Sequence, residues 1–309
     1  MSVTLVCGGS GFIGRWVCEA VRSQPETELV GVGLGPKPDG FNDRWLEVDL
    51  LDGGRNVSHE LREIAPATVV NCTGSIHGSA LELMRLNALV TARLLEIFER
   101  PAAPVRFVQI GSAAEYGPGP AGTPVVETAA PHPLGPYGIA KLAATLLVVA
   151  AAKAGAIDGV VLRVFNAVGP SMPPNTLVGA TLKALRTAQS LRAQTIELGP
   201  LDAVRDFVDA RDVAAATAAA CTAPDLTGQI VNIGSGTGHS ARELVEAMAL
   251  RFGFHGRIEE RGSGSLRSAE ALWQVADVSL AARVLGWRAE RDLDASVDLI
   301  VREANGGLC

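Results

Sequence analysis

Between residues 3 and 22 the chain does something few folds accommodate. A short apolar run, Val3-Thr4-Leu5-Val6-Cys7, meets Gly8-Gly9-Ser10-Gly11-Phe12-Ile13-Gly14, and a helical pattern follows to about Ser23. An apolar run bounded by glycines reads as a buried strand. Glycines at 8, 11 and 14 between strand and helix demand a tight turn, and they let backbone N–H groups at the helix start face an anion such as a pyrophosphate. The spacing is G-x-x-G-x-x-G rather than G-x-G-x-x-G, so the flanking strand and helix carry the inference as much as the glycines do.

The same alternation repeats down the chain. Strands are expected at Leu29–Leu34, Leu46–Val48, Thr68–Asn71, Val105–Ile110, Val160–Val164 and Ile230–Ile233, separated by helical stretches. This predicts an α/β fold, a Rossmann-type doubly wound parallel sheet with a smaller C-terminal α/β substrate-binding lobe. Residues 1–168 would form the dinucleotide domain, with 206–235 returning to it. Residues 169–205 and 236–309 would form the lobe. The chain's 309 residues suffice for both, and 48% hydrophobic against 19% charged residues is a globular composition.

Strand ends carry the chemistry in such sheets. The second strand ends in Leu34-Gly35-Pro36-Lys37, without the acid that would hold a ribose diol. A 2′-phosphate is therefore not repelled, and Arg15 and Lys37 could pair with it or stay solvated. NADP(H) is the preferred cofactor on this basis, with NAD(H) as the alternative. Asp49-Leu50 follows the third strand, where Asp49 could accept from an adenine amino group or cap the next helix. Cys72-Thr73-Gly74 ends the fourth and lets backbone lie against a cofactor. The helix from Ser79 to about Glu99 is interrupted by Asn87, which either faces solvent or makes a contact near Lys141.

Ser112 follows the fifth strand. A Pro- and Gly-rich loop, 118–136, then leads to Tyr137-x-x-x-Lys141 on a helix that runs to Gly155. Four residues apart, the two side chains share a helix face. An ammonium beside a phenol favours the phenolate and so makes the hydroxyl a usable proton donor. That helix is apolar nearly all round, which predicts burial by the sheet on one side and by a partner subunit on another, with the 79–99 helix joining it in a dimer.

Charge and cysteines narrow the setting. The net charge of −6 and the lack of a Lys/Arg run argue against nucleic acid. Cys7, Cys18, Cys72, Cys221 and Cys309 are scattered, with no C-x-x-C pair, which argues against a metal site or a disulfide framework. The longest apolar run, Leu142–Ala152, is short for a bilayer, and no charged leader precedes Val3. The expectation is a cytoplasmic protein without a membrane partner.

In this order the motifs resemble the extended short-chain dehydrogenase/reductases: Gly8–Gly14, the Asp49 turn, Asn87, Ser112, Tyr137-x-x-x-Lys141, Asn166, Arg205-Asp206-Phe207-Val208-Asp209 and Leu285-Gly286-Trp287. Within the family the chain looks most like GDP-4-dehydro-6-deoxymannose reductases and related nucleotide-sugar 4-ketoreductases. That likeness is carried by Ile110-Gly111-Ser112, Tyr116-Gly117, Pro131-His132-Pro133, Arg163-Val164-Phe165-Asn166 and Val231–Gly236.

The resemblance implies that Ser112, Tyr137 and Lys141 are catalytic. It implies that Gly8, Ser10, Gly11, Phe12, Ile13, Gly14, Arg15, Asp49, Leu50, Cys72, Thr73, Gly74 and Asn87 line the cofactor with Tyr137 and Lys141. Ser112, Asn166, Arg205 and Arg267 would hold a nucleotide-diphosphate sugar, the two arginines on its diphosphate unless they are surface ion pairs. The implied reaction is reduction of a C4 carbonyl, with a 4-epimerase as the main alternative. A 4,6-dehydratase is disfavoured because Ala113 and Ala114 stand where that chemistry places acids, and strand alternation should point Glu115 elsewhere. A ketoreductase for non-sugar carbonyls and a non-catalytic dinucleotide sensor fit the residues less well.

Overall fold

The computed structural model describes residues 2–52, 55–99, 104–261 and 273–306. Its centre is a seven-stranded sheet of β1 (Ser2–Cys7), β2 (Thr27–Gly33), β3 (Arg44–Glu47), β4 (Thr68–Asn71), β5 (Arg106–Ser112), β6 (Asp158–Val164) and β10 (Gln229–Ile233). The strand order is β10-β6-β5-β4-β1-β2-β3 and every pairing is parallel. The order reverses between β1 and β4, so a crevice opens above their carboxyl ends, at Gly8 and Cys72.

Parallel strands need helical crossovers, and those helices cover both faces. On one face α1 (Phe12–Arg22) packs on α7 (Ala210–Thr222), with Val17 and Val21 joining Val213, Ala216 and Ala220 in one core. On the other, α2 (Arg55–Glu63), α4 (Val90–Phe98) and α5 (Pro136–Lys153) bury Leu61, Leu94, Phe98, Val148 and Ala152 against β1, β4 and β5. Each large apolar side chain taken out of water there contributes roughly 1.5–3 kcal/mol.

The second layer set is built from short strands. β9 (Val204–Asp209) pairs with β7 (Asn166–Val168), β11 (Gly238–Ser240) and β13 (Trp273–Gln274). β8 (Thr195–Leu198) pairs with β12 (Arg257–Glu260). Two helices, α6 (Leu177–Leu191) and α8 (Ala241–Phe252), pack with the C-terminal helix Leu293–Ala304 around Leu185, Leu244, Met248, Val297 and Ile300. The return to the large sheet therefore begins at α7. Asp206–Asp209, expected to return to the dinucleotide domain, pair in the second sheet, and so do Asn166–Val168.

Helix α5 is 18 residues long with a mean hydropathy of 1.3, so by length and composition it could cross a bilayer. Its Gly138, Ala140, Lys141, Ala144 and Val148 are buried in the fold, which is the packing of a core helix. The segment before α4 is not a uniform helix. α3 (Ala80–Leu83), started by a Ser79–Glu82 capping box, passes into a π turn over Met84–Leu89 and then into α4. The extra residue of a π turn shifts the helix face and is found often at functional sites.

Candidate active site

The glycine turn packs against the end of β4. Gly8 has φ +78°, and a Cβ there would stand 2.9 Å from Thr73 N. Gly14 is buried in the first turn of α1, where a Cβ would fall 2.0 Å from Gly8 O. Gly11 caps α1 without any side-chain bond, and no acid sits in the first turn. The helix thus presents open N–H groups and positive potential beside exposed Ser10 and Gly11. Phe12 and Ile13 are half-buried behind them.

Arg15 takes a different direction from the one its position suggests. Its Nη2 donates to Pro170 O, and its guanidinium lies 5.0 Å over the Trp16 ring, so it pins the Gly169–Pro170 turn onto α1. Lys37 is exposed beyond the end of β2. Asp49 is exposed and its Oδ1 accepts from Leu51 N at 2.9 Å, which closes a local turn rather than capping α2. Leu50 beside it is buried.

The ends of β4 and β5 converge with the π turn and α5. Thr73 donates from N and Oγ1 to Asn71 Oδ1, at 3.1 and 2.6 Å. Asn71 Nδ2 in turn donates to Thr91 Oγ1 and Gln109 Oε1, all three residues being buried. Burial pushes the thiol of the intervening Cys72 well up, so it stays a neutral packing group. Gly74 has φ +148°, and a Cβ on it would meet Asn87 Oδ1 at 2.5 Å and Lys141 Nζ at 3.2 Å.

Asn87 is only 1% exposed, which excludes a solvent-facing side chain. Its Nδ2 donates to Ser75 O and Leu83 O at 2.9 Å each, while its Oδ1 is buried without a partner. Lys141 is buried too, and its Nζ donates to Ile110 O at 3.0 Å, two residues before Ser112. An orphaned acceptor, an ammonium and a backbone cradle that no Cβ could enter meet at one point. A polar group that brings a donor to Asn87 Oδ1 and an acceptor to Lys141 would satisfy both.

Ser112 closes β5, and the chain leaves it through a 3₁₀ turn, Ala113–Glu115. Ser112 Oγ accepts from Ala114 N at 3.2 Å. Glu115 Oε1 accepts from Ser112 N at 2.8 Å, and Glu115 Oε2 accepts from Arg163 Nε at 2.8 Å. The Tyr116 hydroxyl donates to Asn232 Oδ1, and Gln274 Nε2 donates to Ala113 O and Gly117 O. Helix α5 presses on the turn from above. Pro136 occupies its first turn, Tyr137 is half-buried, and a Cβ on Gly138 would stand 2.5 Å from Ala114 O. The close approach of Gly138 brings the Tyr137 end of the helix onto the Ser112 turn.

The second sheet adds a polar wall. Asn166 Nδ2 donates to Asp206 O at 3.2 Å, and Arg205 stands beside Gln274 in the β9–β13 register. Arg205 is half-buried, its Nη1 donates to Val204 O at 2.9 Å, and desolvation lowers its guanidinium below its ordinary value. Asp206 next to it is fully buried, and its carboxylate accepts from Ser235 N and Oγ, Gly236 N and Ala276 N. Through Gln274 this sheet touches the Ser112 turn directly. Arg267 lies outside the described residues. A separate cleft of about 810 Å³ runs between α6 and β8 to Arg261, and none of Ser112, Tyr137 and Lys141 lines it.

Glu115 corrects the sequence expectation in detail. Alternation fails because the strand ends at Ser112, and the turn swings the carboxylate back under the Ser112 backbone. Glu115, Arg163 and Gln274 are the site neighbours that sequence reasoning missed. For Glu115 a signal existed: Ser112-x-x-Glu115 has the capping-box spacing also seen at Ser240–Glu243.

The NAD dependent epimerase/dehydratase family profile matches residues 4–234. A dTDP-6-deoxy-L-talose 4-dehydrogenase (NAD(P)(+)) of Kitasatospora kifunensis is 35% identical over 295 residues, 94% of this chain and 92% of that protein. A GDP-6-deoxy-D-mannose reductase of Pseudomonas aeruginosa is 27% identical, over 79% of this chain and 78% of its own. Among solved structures, MoeE5 in complex with UDP-glucuronic acid and NAD superimposes with a TM-score of 0.85 at 29% identity, covering both chains fully.

Proposed function

The chain belongs to the NAD dependent epimerase/dehydratase family, and on that premise we propose that it reduces the C4 carbonyl of a nucleotide-activated 4-keto-6-deoxyhexose. The observation that carries this reading is the Ser112 turn, whose Ala113 and Ala114 carry no acid and whose Glu115 is turned into the interior, with Gly138 of α5 pressed against it and Lys141 bonded to the strand that ends in it. Ala113 and Ala114 offer no proton acceptor for a dehydration, and both carboxylate oxygens of Glu115 are engaged in the interior. Relatives named for nucleotide-linked 6-deoxyhexoses support the sugar class, and the more similar of the two cited is named as a dTDP-6-deoxy-L-talose 4-dehydrogenase.

The glycine turn with the α1 N-terminus would hold the cofactor diphosphate, and Gly74, Asn87 and Lys141 its nicotinamide half. A nicotinamide dinucleotide, when bound, supplies the hydride for the carbonyl carbon. Tyr137 delivers the proton to the carbonyl oxygen. Lys141 keeps a positive charge one helical turn away, and Ser112 donates a hydrogen bond to the same oxygen. Arg205 and Asn166 hold the sugar nucleotide at the second sheet, with Arg205 on its diphosphate. With no acid in the Leu34–Lys37 segment that follows β2, both NADH and NADPH are accepted. Lys37 favours NADPH, since Arg15 is taken up by Pro170 O.

A 4-epimerase that keeps its NAD is the second reading, supported by a UDP-glucose 4-epimerase of Yersinia pestis that is 27% identical over 94% of this chain and 94% of its own. The assembly is a cytoplasmic homodimer. Ile139, Leu146 and Leu147 on α5 and Leu81 and Leu89 beside it are exposed, an apolar face of the kind that protein interfaces cover. Leu146→Glu is expected to sediment as a monomer, and an unchanged sedimentation coefficient at equal concentration would remove the dimer. The function is tested by supplying NADPH or NADH with dTDP- and GDP-linked 4-keto-6-deoxysugars and following loss of nicotinamide absorbance. Consumption with none of them would remove the reductase.

A further inference from the structure

The hydroxyl of Ser112 is aimed by a device that the reaction itself does not consume. Its Oγ accepts from Ala114 N, which occupies a lone pair and leaves the hydroxyl proton to point elsewhere. The reciprocal bond, Ser112 N to Glu115 Oε1, completes the box. Glu115 is 0% exposed and Arg163, its partner through Oε2, is 3% exposed. Arg163 lies opposite Gly111 in the β5–β6 register, and its guanidinium is stacked 4.4 Å over the Tyr116 ring. A Cβ at Gly111 would fall 2.8 Å from Glu115 Oε1, so glycine there leaves the space the carboxylate fills.

A buried ion pair is a poor way to gain stability, because an apolar pair of similar volume does as well or better. It does supply a fixed acceptor under one backbone N–H. We propose that Glu115, with Arg163 as its counter-ion, is a positioning residue for Ser112: the pair holds the Ala113–Glu115 turn so that the Ser112 hydroxyl presents its proton to the substrate carbonyl oxygen. This rests on the reductase reading for the identity of the carbonyl, and on the hydrogen bonds alone for the geometry.

The experiment compares Glu115→Val/Arg163→Met, Ser112→Ala and the triple variant with the wild-type protein. Removing both charges together avoids a lone buried arginine and so keeps the chain folded. The pair variant is expected to lose on the order of 30-fold in kcat, with KM and cofactor affinity within about threefold. In the Ser112→Ala background the same two changes are expected to cost less than about threefold, since the group they position is gone. Amide exchange at Ser112, Ala114 and Glu115 should quicken in the pair variant while the rest of β5 is unchanged. Additive losses in the triple variant, or wild-type kcat and exchange in the pair variant, would overturn the proposal. If the wild-type protein reduces none of the sugars, the reductase reading fails, and the exchange data alone decide the positioning role.

Discussion

Gly138→Ala separates packing from propensity. In an isolated helix the change would gain about 1 kcal/mol, because alanine forms helix better than glycine. Here the new Cβ would lie 2.5 Å from Ala114 O and 2.9 Å from Pro133 Cβ. Ordinary contacts begin near 3.4 Å, so the start of α5 must retreat from the Ser112 turn by about 1 Å. Tyr137 and Ser112 stand on opposite sides of that contact. A misplacement of this size between catalytic groups costs on the order of 100-fold in rate. The overpacking should also cost about 1–3 kcal/mol of stability. Gly14 and Gly74 lie elsewhere, so the cofactor should still bind. The assay is steady-state turnover beside cofactor titration and thermal unfolding. A variant with a raised Tm and kcat within threefold of wild type would refute the close approach of helix and turn.

Tyr137→Phe is expected to abolish turnover and leave cofactor affinity nearly intact, read by titration of intrinsic fluorescence; full activity would remove Tyr137 as proton donor. Acid sensitivity is expected at Asp209. Burial alone would raise its carboxyl, but bonds from Arg211 and Ser296 override that and hold it below the ordinary 3.8. The stability it contributes is complete above about pH 3.8 and is lost as pH falls below that towards the folded value. Asp209→Asn should therefore be destabilised most near neutral pH, with the gap in Tm closing on acidification; a gap that widens would reverse the sign.

The large sheet was legible because parallel strands buried on both faces read as short apolar runs, and glycines or prolines punctuate them. Val3–Cys7, Val160–Val164 and Ile230–Ile233 needed no more than that. The second sheet was not, because β7, β11 and β13 have two or three residues each, too few to show a period. Their partner β9 is tens of residues away, so the pairing is a property of the tertiary fold. Asn87 was visible as a break in helix periodicity, but the π turn that buries it was not. At Glu115 the capping-box spacing and strand alternation disagreed, and the local hydrogen bonds prevailed. Arg205 and Asp206 are adjacent in sequence and could have formed a surface pair. Instead the Asp206 carboxylate is enclosed by backbone and Ser235 donors.

The most direct test of a Tyr137-assisted C4 reduction is to follow the hydride itself. The protein is incubated with 4-deuterated NADPH or NADH and a dTDP- or GDP-linked 4-keto-6-deoxyhexose, and the product is analysed by mass and by NMR. The account predicts one deuterium at C4 in a single configuration, with one nicotinamide oxidised for each sugar formed. Interconversion of C4 epimers of a nucleotide hexose, with no deuterium incorporated and no net cofactor oxidised, would contradict it.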